Sequence, residues 1–61
     1  MFTHEYRSPH DGLWYPCLLH QPEDAPGTGR HTVTVFPANS GPYTISGVRE
    51  GTGPNEWRAK P

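Results

Sequence analysis

One short stretch decides the fold: DGLWYPCLL at residues 11–19. Its Asp-Gly pair is typical of a tight polar turn, and two adjacent aromatic residues, Trp14 and Tyr15, open the apolar run that follows. Neighbouring residues on a β-strand point to opposite faces, so Trp14 and Tyr15 cannot both lie in one core. The stretch therefore predicts a strand of a small β-barrel with one aromatic left over for a rim, an edge or a partner.

Composition favours a small all-β protein. The chain has 61 residues, of which 31% are hydrophobic, and it contains eight prolines and seven glycines. These breakers leave no uninterrupted segment long enough for a stable helix, and a chain of this length forms one domain with a marginal core. We expect a single domain over residues 1–61, with 1–4 and 59–61 frayed, and no large enzyme active site.

Charge and cysteine content narrow the range of partners and of locations. The chain has five basic and six acidic residues and no basic cluster, so its charge does not favour binding to a phosphate backbone. The single cysteine, Cys17, cannot form an internal disulfide, and no leader or long apolar span is visible. These features predict a cytoplasmic or otherwise intracellular protein that does not associate with membranes.

The breakers divide the chain into four β-like runs and a shorter fifth. The fourth run begins at Tyr43 and is expected to continue to Glu50 after a bulge at Gly47. A loop over residues 21–29 separates the second and third runs. The predicted strands are Phe2–Arg7, Leu13–His20, His31–Phe36, Tyr43–Ser46 with its extension, and Glu56–Ala59.

The second and third strands predict a hairpin whose register defines the core. If Leu19 faces Val33 and Cys17 faces Val35, one side of the hairpin is apolar throughout. A register shifted by one residue remains the alternative. The predicted core side comprises Tyr15, Cys17, Leu19, Val33 and Val35, and the opposite side, too apolar for a fully solvated surface, carries Trp14, Pro16, Leu18, Thr34 and Phe36.

Two motifs resemble those of Tudor domains. Residues 11–19 are similar to the pattern D-G-x-aromatic-Y-(P/R)-A-x-(I/V), with Cys17 at the small residue. Residues 33–41 are similar to V-x-(F/Y)-x-x-Y-G-N. The resemblance implies a single small SH3-like barrel of four to five short antiparallel strands.

The resemblance also implies a place for a ligand. In Tudor domains that bind methylated arginine or lysine, aromatic rings surround the cation. Tyr15 and Phe36 match such positions, Asn39 stands where a further aromatic would be, and Tyr6 and Tyr43 could close the cage from neighbouring strand ends. With the surplus Trp14, the candidate ligand-binding residues are Tyr6, Trp14, Tyr15, Phe36, Asn39 and Tyr43.

Other chemistry finds little support in the sequence. His20 and His31 flank the hairpin loop but lack further ligands at metal-binding spacing, and Cys17 falls on the predicted core side. Residues 33–36 are similar to the pore stretch of the plasmid-borne type II dihydrofolate reductase, but Thr34 and Phe36 lack its hydrogen-bonding groups. We expect no catalytic residue, no metal and no cofactor.

Three functions remain open from the sequence. The favoured one is a non-enzymatic binding module that engages a protein or peptide through an aromatic-lined surface. A second is a small phage or mobile-element accessory protein that docks on a larger nucleic-acid machine, and a third is single-stranded nucleic-acid binding by base stacking. Either a monomer or a homodimer joined through the face with Trp14 and Leu18 fits the composition.

Overall fold

The computed structural model describes residues 2–61, which form an all-β protein without helices. The strands close into a barrel in the order β1-β2-β3-β4-β5, which confirms the predicted small barrel and is compatible with an SH3-like fold. Met1, part of the segment expected to fray, lies outside the described residues. The strands are β1 His4–Arg7, β2 Trp14–Leu19, β3 Arg30–Val35, β4 Tyr43–Glu50 and β5 Glu56–Ala59.

The hairpin of β2 and β3 has the predicted register. Cys17 pairs with Val35 and Leu19 with Val33, so the alternative shifted by one residue does not occur. Cys17, Val33 and Val35 are buried, whereas Leu18, between Cys17 and Leu19, is exposed. The alternation of apolar residues therefore identified the inward face correctly.

One pair of strands departs from the antiparallel pattern. β5 runs antiparallel to β1 but parallel to β4, with Arg49 beside Glu56 and Glu50 beside Trp57. The reason is topological: a closed ring with an odd number of strands cannot alternate direction at every step. The expectation of an entirely antiparallel barrel is corrected at this single seam.

A bulge at Gly47 bends β4, as the sequence predicts. Gly47 has a φ of 70°, and the β3–β4 register shifts between His31 and Val33. The left-handed conformation suits glycine, and the bulge lets one long strand follow the curvature of the barrel. Arg30 Nη1 donates a hydrogen bond of 2.9 Å to the carbonyl of Gly47 and supports the bend from β3.

The core is small, and its largest residue is Trp57, which is 8% exposed. Its Nε1 donates to the carbonyl of Val48 at 3.1 Å, and the rings of His4 and His31 approach it edge-on at 5.5 and 5.6 Å between centroids. Burial, followed by the charge of Glu5, raises the pKa of Cys17 to about 11, so this thiol stays neutral. The buried apolar residues are Tyr6, Cys17, Val33, Val35, Val48 and Trp57.

Asp24 fastens the β2–β3 loop to the bulge. Its carboxylate accepts hydrogen bonds of 2.7 Å from Thr32 Oγ1 and from the backbone N–H of Gly47. These bonds, the one from Thr32 first, hold the pKa of Asp24 below its ordinary value. The carboxylate therefore stabilises the fold in its charged form.

Because the pKa of Asp24 is lower in the folded than in the unfolded chain, its stabilisation is present above about pH 4 and is lost as the pH falls through the lowered value. Thermal unfolding followed by circular dichroism should give Asp24→Ala a lower Tm than the parent at pH 7, with the difference narrowing towards pH 2. Glu50→Ala is the control, since Glu50 makes no side-chain hydrogen bond within residues 2–61. A difference in Tm that is independent of pH would contradict this role for Asp24.

Candidate binding surface at one end of the barrel

Two predicted site residues lie where three strands meet at one end of the barrel. Tyr15 pairs with Tyr6 of β1, and Tyr43 pairs with Val35 at the end of β3. Tyr6 and Val35 point into the core, so Tyr15 and Tyr43 lie on the inward side of their strands at the open end. We use the name barrel-end surface for Asp11, Leu13, Tyr15 and Tyr43.

The turn between β1 and β2 holds its part of this surface in place. The N–H of Ser8 donates to the carbonyl of Leu13, and the N–H of Gly12 donates to the carbonyl of Ser8, both at 2.9 Å. Gly12 has a φ of 73°, which explains why the Asp-Gly pair suits this turn. Leu13 leaves the turn 59% exposed; its N–H donates to the side-chain carboxylate of Asp11 and its carbonyl accepts from the N–H of Ser8.

Asp11 and Tyr15 form the polar part of the surface. The hydroxyl of Tyr15 donates to Asp11 Oδ2, and the N–H of Leu13 donates to Asp11 Oδ1 at 2.9 Å. The Tyr15 bond, and then the Leu13 bond, lower the pKa of Asp11, while the same tyrosine–carboxylate bond raises the pKa of Tyr15. At neutral pH an exposed carboxylate charge therefore sits beside an aromatic ring.

Tyr6 lies beneath this end of the barrel and not on its surface. The side chain is 1% exposed, and its hydroxyl donates to Asn55 Oδ1. Burial raises the pKa of Tyr6, and the nearby Tyr43 hydroxyl adds to the shift. Tyr43 also contributes to the raised pKa of Tyr15, so the three tyrosines share one end of the barrel, but Tyr6 offers no ring face to a ligand.

Asn55 is a structural residue that the sequence reasoning missed. It has a φ of 63°, and its N–H donates to the carbonyl of Arg7 at 2.8 Å while its side chain accepts from Tyr6. Asparagine tolerates the left-handed region better than other residues with a side chain. The Gly-Pro-Asn sequence before β5 was the available signal.

Trp14 lies on the outer face of the barrel, away from the barrel-end surface. The guanidinium carbon of Arg58 lies 3.8 Å from the centroid of its ring, and Arg58 also forms an ion pair of 2.7 Å with Glu5. The surplus aromatic was expected to serve a rim, an edge or a partner. Within the chain, Arg58 covers it, and the pairing of β1 with β5 places Arg58 beside Glu5.

Phe36 and Asn39 occupy two further positions. The ring of Phe36 packs on that of Phe2 with 4.7 Å between centroids, and its N–H donates to the carbonyl of Pro16 at 2.9 Å. Asn39 is exposed in the loop between β3 and β4. The predicted aromatic set is thus split between the barrel end, the outer face and the core.

This distribution does not form an enclosed cage. No pocket opens anywhere in residues 2–61, and the barrel end presents a shallow surface. Within the same residues, no three His, Cys, Asp or Glu side chains are grouped so as to hold a metal ion. The barrel-end surface can therefore make apolar and aromatic contacts beside the negative charge of Asp11.

Comparisons with protein-family models, with curated proteins and with solved structures found no match to this chain. The part of the chain that the structure describes contains no helix of the length and apolarity that crossing a membrane requires.

Proposed function

We propose that this chain is a non-enzymatic binding module that engages a protein or peptide through its barrel-end surface. The observation that carries the proposal is the exposure of Leu13 and Tyr43, 59% and 40%, at the end of the barrel where the half-buried Tyr15 also lies. Exposed apolar and aromatic side chains on a rigid frame are typical of protein contact surfaces. The closed five-stranded barrel and the motif at residues 11–19 support an SH3-like, Tudor-like relationship as part of this proposal.

The chemistry of the surface indicates a partner segment with a cationic side chain. The charge of Asp11 lies beside Tyr15, and an arginine or lysine can contact a carboxylate and an aromatic ring together. Since no pocket encloses the ligand, affinity has to come from contacts spread over a shallow surface. Binding of an extended basic peptide therefore fits better than capture of a small free cation.

Nucleic-acid binding receives less support, because most arginines are already engaged within the fold. Arg7 donates to the carbonyls of Gly12 and Thr52, and Arg58 pairs with Glu5. Arg30 donates to the carbonyl at the bulge. Few free cations are left to neutralise phosphates.

Selection from a displayed random-peptide library tests the proposal. We expect enriched peptides to carry a basic residue, and Tyr43→Ser and Asp11→Asn each to weaken the selected peptide at least about tenfold, the scale of an interface hot spot. Leu18→Ser is the matched control, since Leu18 is 49% exposed but lies on the outer face of β2. Calorimetric titration of each variant gives the Kd.

Two results would contradict the proposal. One is the absence of any enriched peptide, and the other is loss of binding in Leu18→Ser with Tyr43→Ser unaffected. Affinity purification from the native host then separates the accessory-protein alternative, for which a single large stoichiometric partner is expected. A set of smaller partners with basic segments would favour a general peptide-binding module.

A further inference from the structure

The first half of β4 has an open hydrogen-bonding edge. Residues 43–45 pair with β3 on one side, but the contact with β5 on the other side involves only Arg49 and Glu50. Alternate residues of an antiparallel strand direct their N–H and C=O groups away from the partner strand. Within the described residues, the groups that Tyr43–Ser46 direct away from β3 therefore face no neighbouring strand.

Within residues 43–46 this edge carries none of the side chains that commonly block an edge strand. Residues 43–46, Tyr-Thr-Ile-Ser, contain no charge and no proline, and all but Ile45 are exposed. Natural edge strands are commonly blocked by lysine, proline or a bulge within the strand. Here Pro42 precedes the segment and the Gly47 bulge follows it, so a short, regular and uncharged edge remains.

We propose that this edge pairs with the same edge of a second copy of the chain, antiparallel and around a two-fold axis at Thr44. In that register Thr44 faces Thr44 of the second copy, and Tyr43 faces Ile45 twice. Thr–Thr pairs and pairs of an aromatic with a β-branched residue are favourable across antiparallel strands. Tyr43 and Ile45 share one face of β4, so both pairs form on the same side of the joined sheet.

The two registers shifted by one residue form less favourable pairs between the two copies. An axis at Ile45 places Tyr43 opposite Gly47, which has no side chain to contact it. An axis at Tyr43 places Thr44 opposite Pro42, which has no N–H to donate. The self-complementary register is therefore the one centred on Thr44, and its two-fold symmetry closes the assembly as a dimer.

This inference goes beyond the proposed binding function because it needs no ligand. Tyr43 belongs to both surfaces, so the dimer brings two barrel-end surfaces to opposite ends of one joined strand pair. A four-residue edge makes a small interface, and small interfaces associate weakly. Dimers should therefore form only at high protein concentration.

Charge complementation tests the position of the axis. Sedimentation equilibrium over about 10 µM to about 1 mM, the range suited to a weak interface, should show the parent passing from monomer to dimer. Thr44→Lys and Thr44→Glu each place like charges across the axis, which should weaken self-association at least about tenfold. An equimolar mixture of the two variants should recover the dimer, because opposite charges then meet.

Thr52→Lys and Thr52→Glu are matched controls, since Thr52 is exposed in the turn before β5, and they should dimerise like the parent. A parent that stays monomeric, Thr44 variants that dimerise normally, or a mixture that shows no recovery would overturn the proposal.

If a Thr44 variant fails to fold, hydrogen exchange of the parent at low and high protein concentration tests the proposal in its place. Amide protection within residues 43–46 that does not increase with concentration overturns the proposal, and an increase confined to that segment supports it.

Discussion

Replacing Trp57 with alanine is expected to unfold the protein at 25 °C. Truncating a buried tryptophan costs about 3–5 kcal/mol, and a core of this size supplies only about 3–5 kcal/mol in total. The loss includes the bond from Nε1 to the carbonyl of Val48 and the contacts with His4 and His31. Far-ultraviolet circular dichroism and urea titration measure the outcome.

Trp14→Ala is the matched control for this prediction. Trp14 lies half-buried on the outer face with the guanidinium of Arg58 over its ring, and a cation–π contact near the surface contributes about 0.5–1 kcal/mol. The variant should stay folded with a slightly lower urea midpoint. Equal destabilisation by the two substitutions would contradict the assignment of Trp57 to the core and of Trp14 to the surface.

Asn55→Ala is expected to lower the free energy of unfolding by about 2–3 kcal/mol, the second largest effect. About 1 kcal/mol comes from the lost hydrogen bond to Tyr6, and about 1–2 kcal/mol from forcing alanine into a left-handed conformation. Asn55→Gly removes the bond but accepts the positive φ, so it should be less destabilising. Urea denaturation of both variants gives the difference.

Tyr6→Phe separates the two contributions, because it removes the hydroxyl and leaves the backbone at Asn55 unchanged. It should resemble Asn55→Gly in stability. If Asn55→Gly is as unstable as Asn55→Ala, the conformation of residue 55 does not contribute as described.

The hairpin of β2 and β3 could be predicted from the sequence because burial there follows the two-residue period of a strand. Cys17, Val33 and Val35 alternate with polar or exposed neighbours, and only one register places all three inside. Gly47 was recognisable as a bulge for a related reason, since a glycine that interrupts a β-branched strand marks a position of positive φ.

The candidate site was harder to predict because contacts distant in sequence determine it. The motif at residues 11–19 correctly indicated the turn and strand, yet it contains nothing about Arg58, which covers Trp14, or about Phe2, which packs on Phe36. The alternation of residues along β1 does not show which of its faces is inward, so the burial of Tyr6 could not be predicted. The pairing of β1 with β5 closes the barrel over its ring. Leu13 was predicted to begin the second strand, but β2 begins at Trp14 and Leu13 lies before it, exposed and held by the hydrogen bonds of the turn.

Amide chemical-shift mapping with a selected basic peptide tests the central claim, binding at the barrel-end surface, most directly. We expect the largest ¹H–¹⁵N shift changes at Asp11, Leu13, Tyr15 and Tyr43, with little change on the outer face around Leu18. Shift changes centred on Leu18 and Phe36, or none at saturating peptide, would contradict the claim.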